Sequence, residues 1–250
     1  MHLEKGFTLA KKYYPLVLLA SGIDVLQLGD ILRRARGGFH IKFTIPTAVP
    51  SLTQLLPDAQ QSGGIAVHLP DDFAGGAALL AIALLLLAPY LKGGFLGCVL
   101  AGLRGESVDT ATFVSSAGRY FWRFVQAFLL TVVVLLLAAP FLIVLAPLAV
   151  PIIAILLFYL LFWDYGIVAG DAGIIEAAQA SWAMVSANAS EVVSFVLPVL
   201  GLTAFSSIAA NALAAASPVT ALLAVGAYGY LGTAVVFAVM SLYLDVAGRR

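Results

Sequence analysis

Forty mostly apolar residues run from Phe124 to Trp163 with no Asp, Glu, Lys, Arg or His among them. A helix needs about 20 such residues to cross the hydrocarbon core of a bilayer, so the stretch holds two crossings. Pro140, Pro147 and Pro151 fall in its middle, where a helix has to end and the chain turn back. The pattern predicts a membrane hairpin, spans three and four of the chain. Around it, apolar runs predict span one over Pro15–Leu28 and span two from Gly75 to about Leu100. They predict span five over Val192–Ala212 and span six over Thr220–Leu244, with Ser217-Pro218 as the turn between these two.

Two stretches switch to a helical alternation of faces. In residues 105–123, Val108, Ala111, Val114, Ala117 and Phe121, followed by Val125, recur at three- and four-residue steps, opposite Glu106, Asp109, Ser116, Arg119 and Arg123. In residues 171–191, Ile174, Ala178, Trp182, Val185 and Ala189 form one face and Glu176, Gln179, Ser186 and Ser190 the other. Both read as amphipathic helices lying in the cytoplasmic interface, one ahead of span three and one ahead of span five. Residues 30–72 form the one long polar segment. Within it the runs Phe39–Ile45 and Ile65–Leu69 alternate like short strands, and Ser51–Leu56 reads as a short helix between them. The expected fold is therefore an all-α, polytopic membrane helix bundle of about six transmembrane helices. Two cytoplasmic interfacial helices and an extracellular loop cap complete a single integral membrane domain over residues 1–250.

Composition sharpens this picture. The chain is 62% hydrophobic and 10% charged, against roughly 25% charged in soluble domains, and its mean hydropathy is +1.04. Thirteen basic residues balance thirteen acidic ones. No basic patch with interleaved aromatics supports nucleic-acid binding. A lone Cys98 excludes an internal disulfide or a cysteine-based metal site, and His2, His40 and His68 show no ligand spacing. Lys5, Lys11 and Lys12 ahead of an apolar run that passes Ala20-Ser21-Gly22 resemble a signal peptide, but the run continues beyond that point. An uncleaved first span is the reading preferred. Six spans would place Lys5, Lys11, Lys12, Lys92, Arg104, Arg119, Arg123, Arg249 and Arg250 on one side, against Arg33, Arg34, Arg36 and Lys42 on the other. That asymmetry predicts cytoplasmic termini in a multi-pass protein of the cell membrane.

Ionisable residues inside spans are expensive and are functional candidates by default. Lys92 lies about eighteen residues into span two, hence ~27 Å down, and Asp164 comes equally late in span four, which runs the same way. The two are expected to form an ion pair or share a polar cavity; the alternative is that each snorkels separately to the interface. Asp24, in the outer part of span one beside Ser21 and Gly22, is a candidate proton or cation site or else marks the end of that span, with Asp30 the next polar group outward. Lys92 precedes Gly93-x-x-x-Gly97, Asp164 precedes Gly166-x-x-x-Gly170, and an amphipathic helix follows each. Such glycine pairs let helix backbones approach closely in lipid, and their matched placement points to a duplicated unit.

Residues Phe162–Asn188, with an acidic residue ending a span and then Ala178-Gln179-Ala180-Ser181-Trp182 on an amphipathic helix, resemble a segment of bacterial six-helix membrane proteins. Among these is the membrane domain attached to some glycerophosphodiester phosphodiesterases. The likeness covers about Leu91 to Phe195 and implies a bacterial plasma-membrane setting. It brings no catalytic chemistry, since the soluble phosphodiesterase domain is absent. No nucleophile–base pair, phosphate loop or zinc helix is present, so neither catalytic residues nor a cofactor or metal is expected. Two functional readings follow. One is a non-enzymatic subunit or regulator of a membrane complex, partnered by the bilayer and by another membrane protein or a second copy of itself. The other is a small-solute or lipid permease with a polar site near Lys92 and Asp164.

Overall fold

The computed structural model describes residues 1–35, 42, 44–46, 49–56, 74–144 and 146–249. These residues form helices α1 (His2–Lys12), α2 (Tyr14–Leu26), α3 (Leu28–Ala35), the 3-10 turn η1 (Leu52–Gln54), α4 (Ala74–Arg104), α5 (Thr110–Val144), α6 (Ala146–Tyr159), α7 (Trp163–Ala169), α8 (Ile174–Ala187), α9 (Ala189–Ala216) and α10 (Pro218–Gly248). No strand occurs among the described residues. Five helices are long and apolar enough to cross a membrane, and up to six if the bent pair α2–α3 is one broken span. The protein is an all-α membrane helix bundle.

Several boundaries differ from the sequence reading. Span one is not one straight rod: α2 stops at Leu26 and α3 leaves it at 68°, because Gln27 departs from helical geometry and turns its N–H back to the Asp24 carbonyl. The stretch expected as a separate interfacial helix over residues 105–123 is continuous with span three. Nothing between Thr110 and Val144 breaks α5, and Pro140 is carried inside it. Pro151 likewise sits within α6; a helix in lipid has no competing water and tolerates such interruptions. The short helix expected over Ser51–Leu56 is present as η1, capped by the Ser51 hydroxyl accepting from the Thr53 N–H. Of the strand-like runs, Ile65–Leu69 lies outside the described residues, and Lys42, Thr44 and Ile45 of the first run are not in a strand.

The chain divides into two compact units, the first Met1–Leu85 with Val193–Ala238, the second Leu86–Val192 with Val239–Arg250. In the first, Ile31, Leu52, Leu55, Leu56, Ala221, Val225 and Tyr228 share a buried core. The amphipathic α1 lies on α10, where Gly6 meets the Ala234 carbonyl and Tyr230 donates its hydroxyl to the Phe7 carbonyl at 3.1 Å. The polar residues of α9 are spent on the chain itself: Ser207 donates to the Leu55 carbonyl at 2.8 Å and Asn211 to the Ser207 carbonyl at 2.8 Å. In the second unit, α7 packs against α8, and α5 against both.

The positions of α5 and α8 buried against protein overlap their apolar faces only in part. On α5 they are Ala117, Tyr120, Phe124, Val125 and Ala127, while Val114 is exposed. On α8 they are Ala177, Ser181, Met184 and Val185, while Trp182 is 46% exposed. Lipid accepts the apolar stripe, so the small and polar positions turn inward.

A charged clamp around a broken span

Span four does not run through. α6 ends at Tyr159, three residues follow in a turn, and α7 restarts at Trp163. The backbone groups released by this break are satisfied by Ser181 of α8, whose hydroxyl donates to the Tyr159 carbonyl at 2.8 Å and accepts from the Phe162 N–H at 3.1 Å. Irregular backbone at membrane depth survives only where protein supplies such partners. Trp182 closes the break from outside by stacking on Tyr159, with ring centroids 4.2 Å apart and planes at 18°. The Trp163 indole N–H donates to the Ile174 carbonyl at 2.7 Å. At the start of α8, the Glu176 carboxylate accepts from the Gly173 N–H at 3.4 Å, which places a negative group on the helix N-terminus.

Asp164 stands in the first turn of α7, where the helix dipole favours a carboxylate. Its Oδ2 is 2.7 Å from Lys92 Nζ, with the side chains 13% and 27% exposed respectively. The ammonium also sits 5.0 Å from the centre of the Phe124 ring, a desolvated cation–π arrangement. Lys92 and Asp164 are therefore brought together on facing helices.

The other end of α7 is held as firmly. Tyr120 donates its hydroxyl to the Val168 carbonyl at 3.0 Å and Arg123 donates to the Ile167 carbonyl at 3.4 Å, filling acceptors that a helix C-terminus leaves open. Asp171 then takes a left-handed conformation, φ +50°, which aspartate tolerates better than most residues. Its carboxylate is gripped by Arg119, at 2.8 Å, and by Arg123. The Arg119 guanidinium first, then Arg123, holds the Asp171 carboxyl below the ordinary aspartate range. By sequence alone Arg123 is a charge on the polar face of an interfacial helix, and Asp171 has no evident partner. A helical spacing of Arg119 and Arg123 on one face was the available signal, but its target lies 52 and 48 residues away. A third bridge joins Arg249 to Glu191 at 2.7 Å.

The Asp171 clamp has a definite pH signature. A carboxyl whose folded value is depressed stabilises fully above its unfolded value, about 3.9, and loses that contribution as pH falls through the folded value. Thermal unfolding in detergent, followed by tryptophan fluorescence, is expected to show an acid-labile component below about pH 4. Asp171→Asn, which keeps the left-handed backbone, should remove that component and leave the rest of the profile unchanged.

The four candidate packing glycines sit at close approaches. A Cβ on Gly93 would lie 3.3 Å from Tyr120 Cβ, and one on Gly97 would collide with Ser116, both on α5. A Cβ on Gly166 would lie 3.2 Å from Ala177 Cβ on α8, and one on Gly170 would lie 3.1 Å from Tyr243 Oη. Gly93 and Gly166 thus each receive the helix that follows, one and two residues beyond Lys92 and Asp164.

Asp24 belongs to the first unit and is fully buried. It accepts from Ser51 Oγ at 2.5 Å and from the Leu52 N–H at 2.7 Å. Asp30 lies on α3 with its own cations, Arg34 at 2.5 Å and Arg33. No cluster of three His, Cys, Asp or Glu side chains able to hold a metal occurs among the described residues.

No family model matches the chain, and no curated protein or solved structure matches it either. The likeness of residues 162–188 to the membrane domain of certain phosphodiesterases therefore rests on the quoted residues alone. The fold and the clamp define the class: a multi-span, all-α membrane protein with its charges paired at the ends of a short helix.

Proposed function

We propose that the chain is a non-enzymatic integral membrane protein of a bacterial cell membrane that serves as a subunit or regulator of a membrane complex, both termini facing the cytoplasm. One observation carries this reading. Seven charged side chains of the second unit are held in ion pairs, Lys92 with Asp164, Arg119 and Arg123 with Asp171, and Arg249 with Glu191, each fixing one element to another. Charges used in this way bolt a scaffold together. The excess of Lys and Arg on the side of the termini supports the orientation.

The alternative, a small-solute or lipid permease, is favoured by the break at residues 160–162 beside Asp164, since transporters place binding sites at discontinuous helices. Native mass spectrometry after gentle release from the parent membrane separates the two. A companion chain at fixed stoichiometry is expected. A lone protomer or homodimer carrying bound lipid or solute would overturn the subunit reading in favour of the permease.

A further inference from the structure

The first unit contains a buried carboxylate that the clamp does not explain. Asp24 has no exposed surface, and among the described residues none of its bonds is to a cation: its partners are the Ser51 hydroxyl and the Leu52 N–H. A buried carboxylate without a countercharge has to be neutralised by something it binds. We propose that Asp24 is a reversible proton-binding site, with Ser51 and Thr53 as its hydroxyl relay.

The hydrogen-bond pattern distinguishes a proton from a metal cation. Oδ2 is capped by an N–H at 2.7 Å, which offers a cation no lone pair. Oδ1 faces Ser51 Oγ at 2.5 Å, and Ser51 Oγ in turn faces Thr53 Oγ1 at 2.7 Å, where either oxygen can be the donor. With Asp24 ionised, Thr53 donates to Ser51 and Ser51 to Oδ1. With Asp24 protonated, its O–H donates to Ser51, which donates to Thr53, and the Leu52 N–H stays on Oδ2. One geometry satisfies both charge states, and only the direction of two hydrogen bonds reverses.

A second observation points to the same place. Tyr228 of α10 is 3% exposed, its hydroxyl has no hydrogen-bond partner among the described residues, and it lies within electrostatic reach of Asp24. Ser21, one helical turn before Asp24, also has an unpartnered buried hydroxyl, and it abuts Gly229, the neighbour of Tyr228. Two buried hydroxyls of the first unit, one on the helix of Asp24 and one on α10, thus stand without a hydrogen-bond partner among the described residues. Tyr228 is the titratable group facing Asp24 from α10. On α3, Asp30 is matched by Arg33 and Arg34; on the segment before η1, Lys42 places its backbone N–H on Ser207 Oγ at 3.2 Å.

The test uses the full chain in liposomes. Infrared difference spectra across a pH titration are expected to contain a carboxylic-acid C=O band, sensitive to deuterium, that disappears in Asp24→Asn. A hydrophobic carbodiimide should modify Asp24 increasingly as pH falls, equally in sodium and in potassium buffers. Ser51→Ala leaves the carboxyl in place and should shift the band by removing its hydrogen-bond partner, which keeps the test valid if Asp24→Asn misfolds. Protection of Asp24 from the carbodiimide by sodium alone would assign the site to a metal cation and overturn the proposal. So would the absence of an acid band and of modification at every pH tested.

Discussion

Replacing Lys92 with alanine is expected to destabilise the second unit by about 3 kcal/mol, more than any exposed charge in the chain would. Removing one partner of a buried ion pair typically costs about 3–5 kcal/mol, because the other charge stays behind without compensation. The low end applies because Lys92 keeps 27% of its side-chain surface exposed. Asp164 is only 13% exposed, so an unpaired carboxylate there has little water to turn to. The double replacement Lys92→Met with Asp164→Leu should return to within about 1 kcal/mol of the parent, since apolar substitutes of similar volume remove both desolvation penalties at once. Denaturant unfolding in micelles, read through tryptophan fluorescence, gives the three values needed for the coupling energy. A single-mutant loss of about 0.5 kcal/mol or less would mean that both groups reach water independently, as exposed pairs do.

The contrast between this pair and the Asp171 clamp shows what could be read in the chain and why. Lys92 and Asp164 were legible because each is a charge late in an apolar run, and two antiparallel hairpins fix their depth by counting residues. The clamp was not, because the partners of Asp171 are chosen by how α5 crosses α7, a tertiary fact with no local signature. Long spans were visible as apolar runs, and so was the break amid the three prolines, where α5 ends at Val144 and α6 starts at Ala146 with Pro147 in its first turn. Proline at 140 and 151 did not end a helix. Leu160-Leu161-Phe162, with no proline or glycine, did break one, because Ser181 of another helix supplies the backbone partners. The apolar stripes of α5 and α8 do not by themselves mark a side buried in protein, because lipid accepts them as readily as a protein core does. Here the long aliphatic residues of α5, such as Leu136 and Leu137, are 69% exposed on the protein, while Ala117 and Ala177 are buried. Asp24 was recognised as anomalous, but its Ser51 and Leu52 partners lie 27 and 28 residues on, beyond any local pattern.

The second large effect is expected at Gly97. An ideal Cβ there would overlap Ser116 of α5, and one on the neighbouring Gly94 would come within 2.6 Å of the Phe113 ring. The Gly93–Gly97 stripe therefore meets α5 along its length. Gly97→Ala adds a single methyl group and improves intrinsic helix propensity. It should nevertheless destabilise by about 1–3 kcal/mol, the usual penalty for an extra carbon in a filled contact. Gly118, with open space around it and on the same pair of helices, is the matched control: Gly118→Ala should be neutral or slightly stabilising. Ser116→Gly should rescue Gly97→Ala, because it deletes the atoms in collision; the rescue isolates packing from any general effect of the substitution. Because Tyr120 and Arg123 lie one and two turns further along α5, a displaced α5 also loosens the C-terminal hold on α7. Gly97→Ala should thus weaken the acid-labile Asp171 component as well, and the double variant should restore both. Loss of stability with an intact acid profile would show that the glycine contact and the clamp are independent.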